Sequence, residues 1–157
     1  MPPSGPFQII AEEAYEDSAD LVFLPDASAG EWATIFSHAE VREVAAGLAV
    51  MQAGEEDRGL YLLTEGTLGV QLPRDDTIFK SIDAPAVVGE LAFFDGQPRS
   101  ATLVAVTDVE VVRLDQAAFE RLSETEPALA RAMLLDLARI LALRLRLASA
   151  VIAELRE

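Results

Sequence analysis

From residue 39 to about 114 the apolar positions come in short runs. The runs are Val41–Ala45, Ala49–Gln52, Gly59–Thr64, Thr67–Leu72, Thr77–Ile82, Thr102–Thr107 and Val109–Leu114. Turn formers separate them: Ala46-Gly47, Gly54-Glu55, Glu65-Gly66, Arg74-Asp75-Asp76 and Thr107-Asp108. Short, evenly spaced strands with such turns predict an antiparallel barrel or sandwich. On either side the period changes to that of a helix. Trp32, Ile35 and Phe36 predict a short amphipathic helix over 31–38. Asp115 is a good N-cap for a helix over 116–123, and Pro127 suits the first turn of another that can run to the chain end.

The last helix carries two apolar stripes. Leu134, Ala138, Leu141, Leu145, Ala148, Ile152 and Leu155 alternate by four and three, as a heptad seam does. Met133, Leu137, Ile140, Leu147 and Val151 form the neighbouring stripe, which Arg144 interrupts. One stripe can cover a barrel, and the other then needs a second partner. A parallel helix pair between two copies is the preferred reading; a helix buried within its own domain is the other.

Length and composition narrow the class. A chain of 157 residues, 51% hydrophobic and 25% charged, has the balance of one globular domain and can bury a real core. Three zones follow: 1–28 as a partly frayed N-terminal extension with Pro2, Pro3 and Pro6, 29–126 as the strand-rich unit with flanking helices, and 127–157 as the long helix. Twelve Lys and Arg against 27 Asp and Glu give a net charge of −15, which argues against nucleic-acid or membrane-surface partners. The charge is uneven, +2 over 127–157 and −17 over the rest. The absence of cysteine excludes disulfides, iron–sulfur clusters, thiolate zinc sites and cysteine nucleophiles. The single histidine, His38, excludes a multi-histidine metal site and reads as a surface or helix-end residue. Neither a signal peptide nor a membrane span is evident, so the expected compartment is the cytoplasm.

The chemistry concentrates in Val87–Thr102. Gly89 permits unusual dihedrals or close backbone approach. Glu90-Leu91-Ala92-Phe93 can make one helical turn whose free N–H groups suit an anion. Arg99 offers a planar fork for phosphate, with the Ser100 hydroxyl beside it. Glu90, an acceptor only, matches a ribose hydroxyl. Gly96 and Pro98 shape the loop that returns Arg99 over the turn. Together these residues describe a sugar-phosphate site.

The segment resembles the phosphate-binding cassette of the cyclic nucleotide-binding domain family, of the catabolite activator and protein kinase A regulatory subunit type. The likeness rests on Gly89-Glu90-Leu91-Ala92 followed by Pro98-Arg99-Ser100-Ala101-Thr102, with the family's Glu-to-Arg separation, and extends over about 30–150. Val88 replaces the usual aromatic, and Asp83-Ala84-Pro85-Ala86 lacks the usual glycine; both are packing positions. The resemblance implies an α+β, mainly β fold: an antiparallel β-roll, or jelly-roll, of about eight strands with an N-terminal helix and two C-terminal helices. It implies cAMP, or cGMP, as ligand, with no cofactor, no metal and no catalytic residue. Arg99 would pair with the cyclic phosphate, and Glu90 would accept from the ribose 2′-hydroxyl. The N–H groups of Leu91 and Ala92 would cap the phosphate. Ser100 would bond the phosphate or a guanine amino group. The last helix would cover the base, with Arg144 as the base-facing candidate and Leu141 and Leu145 beside it.

The expectation is a bacterial, stand-alone cyclic nucleotide sensor, homodimeric through its last helix and signalling to an effector protein without an attached DNA-binding or catalytic domain. The competing reading is a dimerisation module with a non-binding pocket, in which Glu90 and Arg99 form only an internal ion pair. A hydrolase is the third and weakest reading, since the site lacks a histidine base and a metal cluster. The acidic run Glu55-Glu56-Asp57 reads as a solvated turn.

Overall fold

The computed structural model describes residues 22–71, 76–78 and 80–156, with the side chain of Val151 left aside. Most of the expected N-terminal extension, and the turn at Arg74-Asp75, lie outside those residues.

Among the described residues eight strands form two four-stranded antiparallel sheets. The strands are β1 (Glu40–Val44), β2 (Ala49–Met51), β3 (Leu60–Glu65), β4 (Thr67–Gln71), β5 (Lys80–Asp83), β6 (Ala86–Val88), β7 (Thr102–Ala105) and β8 (Val109–Leu114). Their orders are β1-β8-β3-β6 and β2-β7-β4-β5. The β-roll expected from the sequence is therefore the fold. Strand β6 was not among the expected strands. It has three residues and directly follows Pro85, so it offers almost no periodicity to read.

Strand β3 explains how the layers meet. Leu60-Tyr61-Leu62-Leu63 is buried throughout. Leu60 and Leu62 face a helix-covered core with Val112, Leu114, Leu122, Met133, Leu137 and Ile140. Tyr61 and Leu63 face the interior of the roll with Leu68, Val70, Leu103 and Val111. A sheet covered on both faces selects an unbroken apolar run.

Among the described residues there are four helices: α1 (Ala29–Ser37), α2 (Glu90–Asp95), α3 (Gln116–Thr125) and α4 (Pro127–Leu155). Helix α1 begins two residues earlier than the apolar spacing indicates. Ser28 accepts from the Glu31 N–H, and Glu31 accepts from the Ser28 N–H, a reciprocal capping box. Trp32 packs between Phe23 and Phe36, with ring centroids 6.1 and 5.6 Å away, and anchors α1 to the helix-covered core. His38 is the C-cap residue of α1. Asp115 caps α3 through the Ala118 N–H, as expected.

On α4 the two stripes part company. Met133, Leu137 and Ile140 are fully buried against the sheet, and Ile140 is the last buried residue among those described. The heptad seam faces outward, with Leu134, Leu145, Ile152 and Leu155 exposed.

Candidate functional site

The segment between β6 and β7 is built around two left-handed glycines. Gly89 precedes α2 at φ 78°, and Gly96 follows it at φ 69°. Gly89 is required twice over: a Cβ there would lie 2.7 Å from Arg99 Nη1 and 3.1 Å from the Gly59 carbonyl. No side chain caps the N-terminus of α2. At its other end Arg58 donates to the carbonyls of Ala92 and Phe93 at 3.3 and 3.1 Å, and Gln116 also donates to Phe93. Phe93 is buried, whereas Phe94 sits at the rim.

Above α2 opens a cavity of about 140 Å³. Gly89, Glu90, Leu91, Ala92, Pro98, Arg99, Ser100 and Ala101 all line it, as do Met51, Asp95, Gln97 and Leu103. Eight of the twelve residues singled out from the sequence thus converge on one space. Thr102 stands behind the wall, where its hydroxyl accepts from the Ala53 N–H at 3.0 Å. Leu141 is half-buried on α4, and Leu145 points outward at 68% exposure.

Arg99 is 4% exposed. Its Nη1 donates to the Gly89 carbonyl at 3.0 Å, and its Nη2 donates to the Gly59 carbonyl at 2.7 Å and to Asp57 Oδ2 at 3.2 Å. Its guanidinium carbon lies 5.6 Å from the centre of the Tyr61 ring. Its Nε is buried without a hydrogen-bond partner among the described residues. A buried cation with a donor left over, beside a cavity, is a place where an anion is expected. The backbone fixes the arginine as well: Arg99 N–H donates to the Glu55 carbonyl, and Arg99 O accepts from the Gly54 N–H.

Glu90 is equally buried, at 3% exposure. It does not pair with Arg99. Its Oε1 accepts from Arg144 Nη1, reaching in from α4, while Arg144 Nη2 donates to the Val87 carbonyl at 3.2 Å. Arg144 therefore meets the cavity floor through Glu90, and it is not among the lining residues.

Sequence reasoning missed Asp57 and Arg113. In the sequence Asp57 belongs to an acidic run that reads as a solvated turn. Instead its Oδ1 accepts from Arg113 Nη2 at 2.5 Å and from the Gly59 N–H, while its Oδ2 accepts from Arg99 and from the Tyr61 hydroxyl. Burial alone would raise this carboxyl. Arg113, the Gly59 N–H and Arg99 outweigh it and hold the group well below the ordinary carboxylate range. No local spacing reveals the cluster, because Arg113 reaches Asp57 across 56 residues. Among the described residues no group of three or more His, Cys, Asp or Glu could hold a metal ion.

Comparison with known proteins agrees with this geometry. The sequence pattern of the cyclic nucleotide-binding domain matches residues 41–126. A cyclic nucleotide-gated potassium channel of Mesorhizobium japonicum is 33% identical over 89 residues, 57% of this chain and 24% of the channel. A cAMP-dependent protein kinase regulatory subunit of Candida albicans is 29% identical over 122 residues, 77% of this chain and 26% of that protein. The chain thus spans about a quarter of the length of these relatives. Among solved structures, a cyclic nucleotide-binding domain from Methylobacillus flagellatus superposes with a TM-score of 0.74 at 22% identity, covering 97% of this chain and 86% of that one. The Thermus thermophilus catabolite activator protein gives 0.71 at 24% identity, covering 84% and 62%. With a family pattern spanning more than half of its length, this chain belongs to the cyclic nucleotide-binding domain family.

Proposed function

We propose that the chain is a sensor of cyclic mononucleotides, taking cAMP in preference to cGMP, and that α4 closes over the bound ligand. The observation that carries this reading is the buried Arg99, which lines the cavity and whose Nε has no hydrogen-bond partner among the described residues. The cyclic phosphate sits against Arg99, the N–H groups of Leu91 and Ala92 and the Ser100 hydroxyl. Glu90 accepts from the ribose 2′-hydroxyl. Because Arg144 on α4 donates to the same carboxylate, a ligand that engages Glu90 also acts on the helix. The base lies under α4, near Leu141, Arg144 and Leu145. The preference for cAMP follows the cAMP-dependent kinase subunits among its relatives.

The output is a population shift, whose size is set by how much better the ligand binds the closed form than the open one. No catalytic step is involved. The exposed seam Leu134, Leu145, Ile152 and Leu155 supports a second copy paired along α4, with an effector protein downstream. No helix among the described residues is long and apolar enough to cross a membrane, and the strongly acidic chain disfavours nucleic acid; we assign the domain to the cytoplasm.

The test is a thermal-shift series on the full chain with cAMP, cGMP, AMP and cyclic di-GMP, repeated on Arg99→Ala. A ligand at about 100 times its Kd adds roughly 2.7 kcal/mol, a visible shift in a domain of this size. Stabilisation of the wild type by one cyclic mononucleotide, lost in Arg99→Ala, is the expected result. No stabilisation by any of the four overturns the sensor reading in favour of an interaction module with an inert pocket.

A further inference from the structure

Arg99 is not left facing its carboxylate alone. Asp57 lies between two arginines, Arg99 at 3.2 Å on one oxygen and Arg113 at 2.5 Å on the other. The three side chains come from separate parts of the chain: the loop before β3, the loop before β7 and strand β8 itself. The β3–β8 register sets Tyr61 opposite Arg113, which brings the guanidinium under the loop. Gly59 leaves the room for it, since a Cβ at 59 would lie 2.6 Å from Arg113 Nε. Every acceptor direction of Asp57 is used, by Arg113 and the Gly59 N–H on Oδ1 and by Arg99 and the Tyr61 hydroxyl on Oδ2.

The charge count decides what this arrangement does. Arg99 and Asp57 alone would form a neutral pair, and an incoming phosphate would meet a carboxylate next to the cation it seeks. With Arg113 the trio is +1, and Asp57 divides its attraction between two cations. The neighbours do not cancel this balance. Arg42 donates to the Tyr61 hydroxyl but is paired with Glu40. Asp115 reaches Arg113 only at 3.5 Å and is about half exposed, so water screens it.

We infer that Arg113 is a positioning residue for anion binding: it occupies Asp57 from behind and so keeps Arg99 electropositive toward the cavity. Arg113 is not among the residues that line the cavity. The inference rests on the sensor reading and adds to it a residue outside the 87–102 segment on which phosphate affinity depends.

The experiment measures cAMP and cGMP affinity by calorimetry for the wild type, Arg113→Gln, Arg113→Lys and the double variant Asp57→Asn/Arg113→Gln, with circular dichroism as the folding check. Arg113→Gln brings the trio to zero charge and lowers affinity roughly tenfold. Arg113→Lys keeps the charge and stays close to the wild type. The double variant returns the trio to +1 and regains most of the lost affinity, a rescue that a merely structural role for Arg113 would not give. Adenosine, which lacks the phosphate, binds all four proteins alike. Unchanged affinity in Arg113→Gln, or a double variant that folds yet binds no better than the single one, overturns the inference while leaving the sensor reading intact. A wild type that binds neither nucleotide overturns both. Should Arg113→Gln fail to fold, the lysine and double variants decide: loss of affinity in both, with the fold retained, also overturns it.

Discussion

The two ends of the 87–102 segment are held by different parts of the molecule. Arg99 is fastened from within the roll, by Asp57, Gly59 and the Tyr61 ring at the start of β3. Glu90 is fastened from outside, by a single arginine on α4, one turn past the last buried residue of that helix. One charged group of the site therefore belongs to the sheet and the other to the helix. A ligand that touches both joins a fixed wall to an element whose remaining described side chains are mostly exposed. On the proposed reading, recognition and response are in this way divided between two side chains nine residues apart in sequence.

The comparison can be broken at several points. Arg99→Ala has the largest expected effect, a loss of cyclic nucleotide affinity of about 100-fold or more by calorimetry with the circular dichroism spectrum retained, because a buried charge-assisted phosphate contact is removed. Glu90→Gln comes next. It keeps the shape but weakens both the ribose contact and the tie to Arg144, so affinity falls about tenfold and amide exchange along 141–156 accelerates. Arg144→Ala sharpens the distinction: it speeds the same exchange while Arg99 keeps its phosphate contact, so affinity falls less than in Glu90→Gln. Gly89→Ala probes the left-handed residue that precedes α2 and packs against Arg99. Forcing a Cβ into a left-handed position beside Arg99 costs about 1–3 kcal/mol, which calorimetry reads as a melting temperature lowered by several degrees.

The smallest effect is in the acid limb of stability. Burial raises Asp57 and Asp136, but their arginine and N–H partners outweigh it and hold both below the ordinary range. Their folded-state values are depressed, so their contribution is complete above the unfolded value of about 3.9 and disappears as pH falls through the lowered folded values. Urea unfolding should show that contribution unchanged from pH 7 to about 5 and declining below about 4. Asp57→Asn should flatten this decline.

What could be read in advance follows the same division. The sugar-phosphate residues lie in one contiguous stretch, and the turn chemistry of Gly89, Gly96 and Pro98 is local, so the sequence displays them. The roll is legible because its strands alternate or run apolar between clear turns. Strand β6 is too short to carry a period. The start of α1 was written in Ser28 and Glu31, a signal weaker to the eye than the apolar spacing beside it. Asp57 and Arg113 carry no local mark at all. An acidic turn and a strand arginine become partners only through the β3–β8 pairing, which is a property of the folded sheet. Arg144 was recognisable as an interruption in an apolar stripe, but what it reaches depends on how α4 lies across the sheet.

The clasp between the first described residues and α4 has a spectroscopic consequence. Asp136 accepts from the Leu24 N–H at 2.7 Å, and Arg139 donates to the Val22 carbonyl at 2.8 Å, with Leu24 held at the positive φ of 48°. Phe23, between those two anchors, lies against Trp32, the sole indole in the chain. Any displacement of α4 that carries the 22–24 segment with it changes the surroundings of the one tryptophan. The native protein thus carries its own optical reporter, and a titration followed by tryptophan emission wavelength can test for such a displacement without a dye, a label or a substitution.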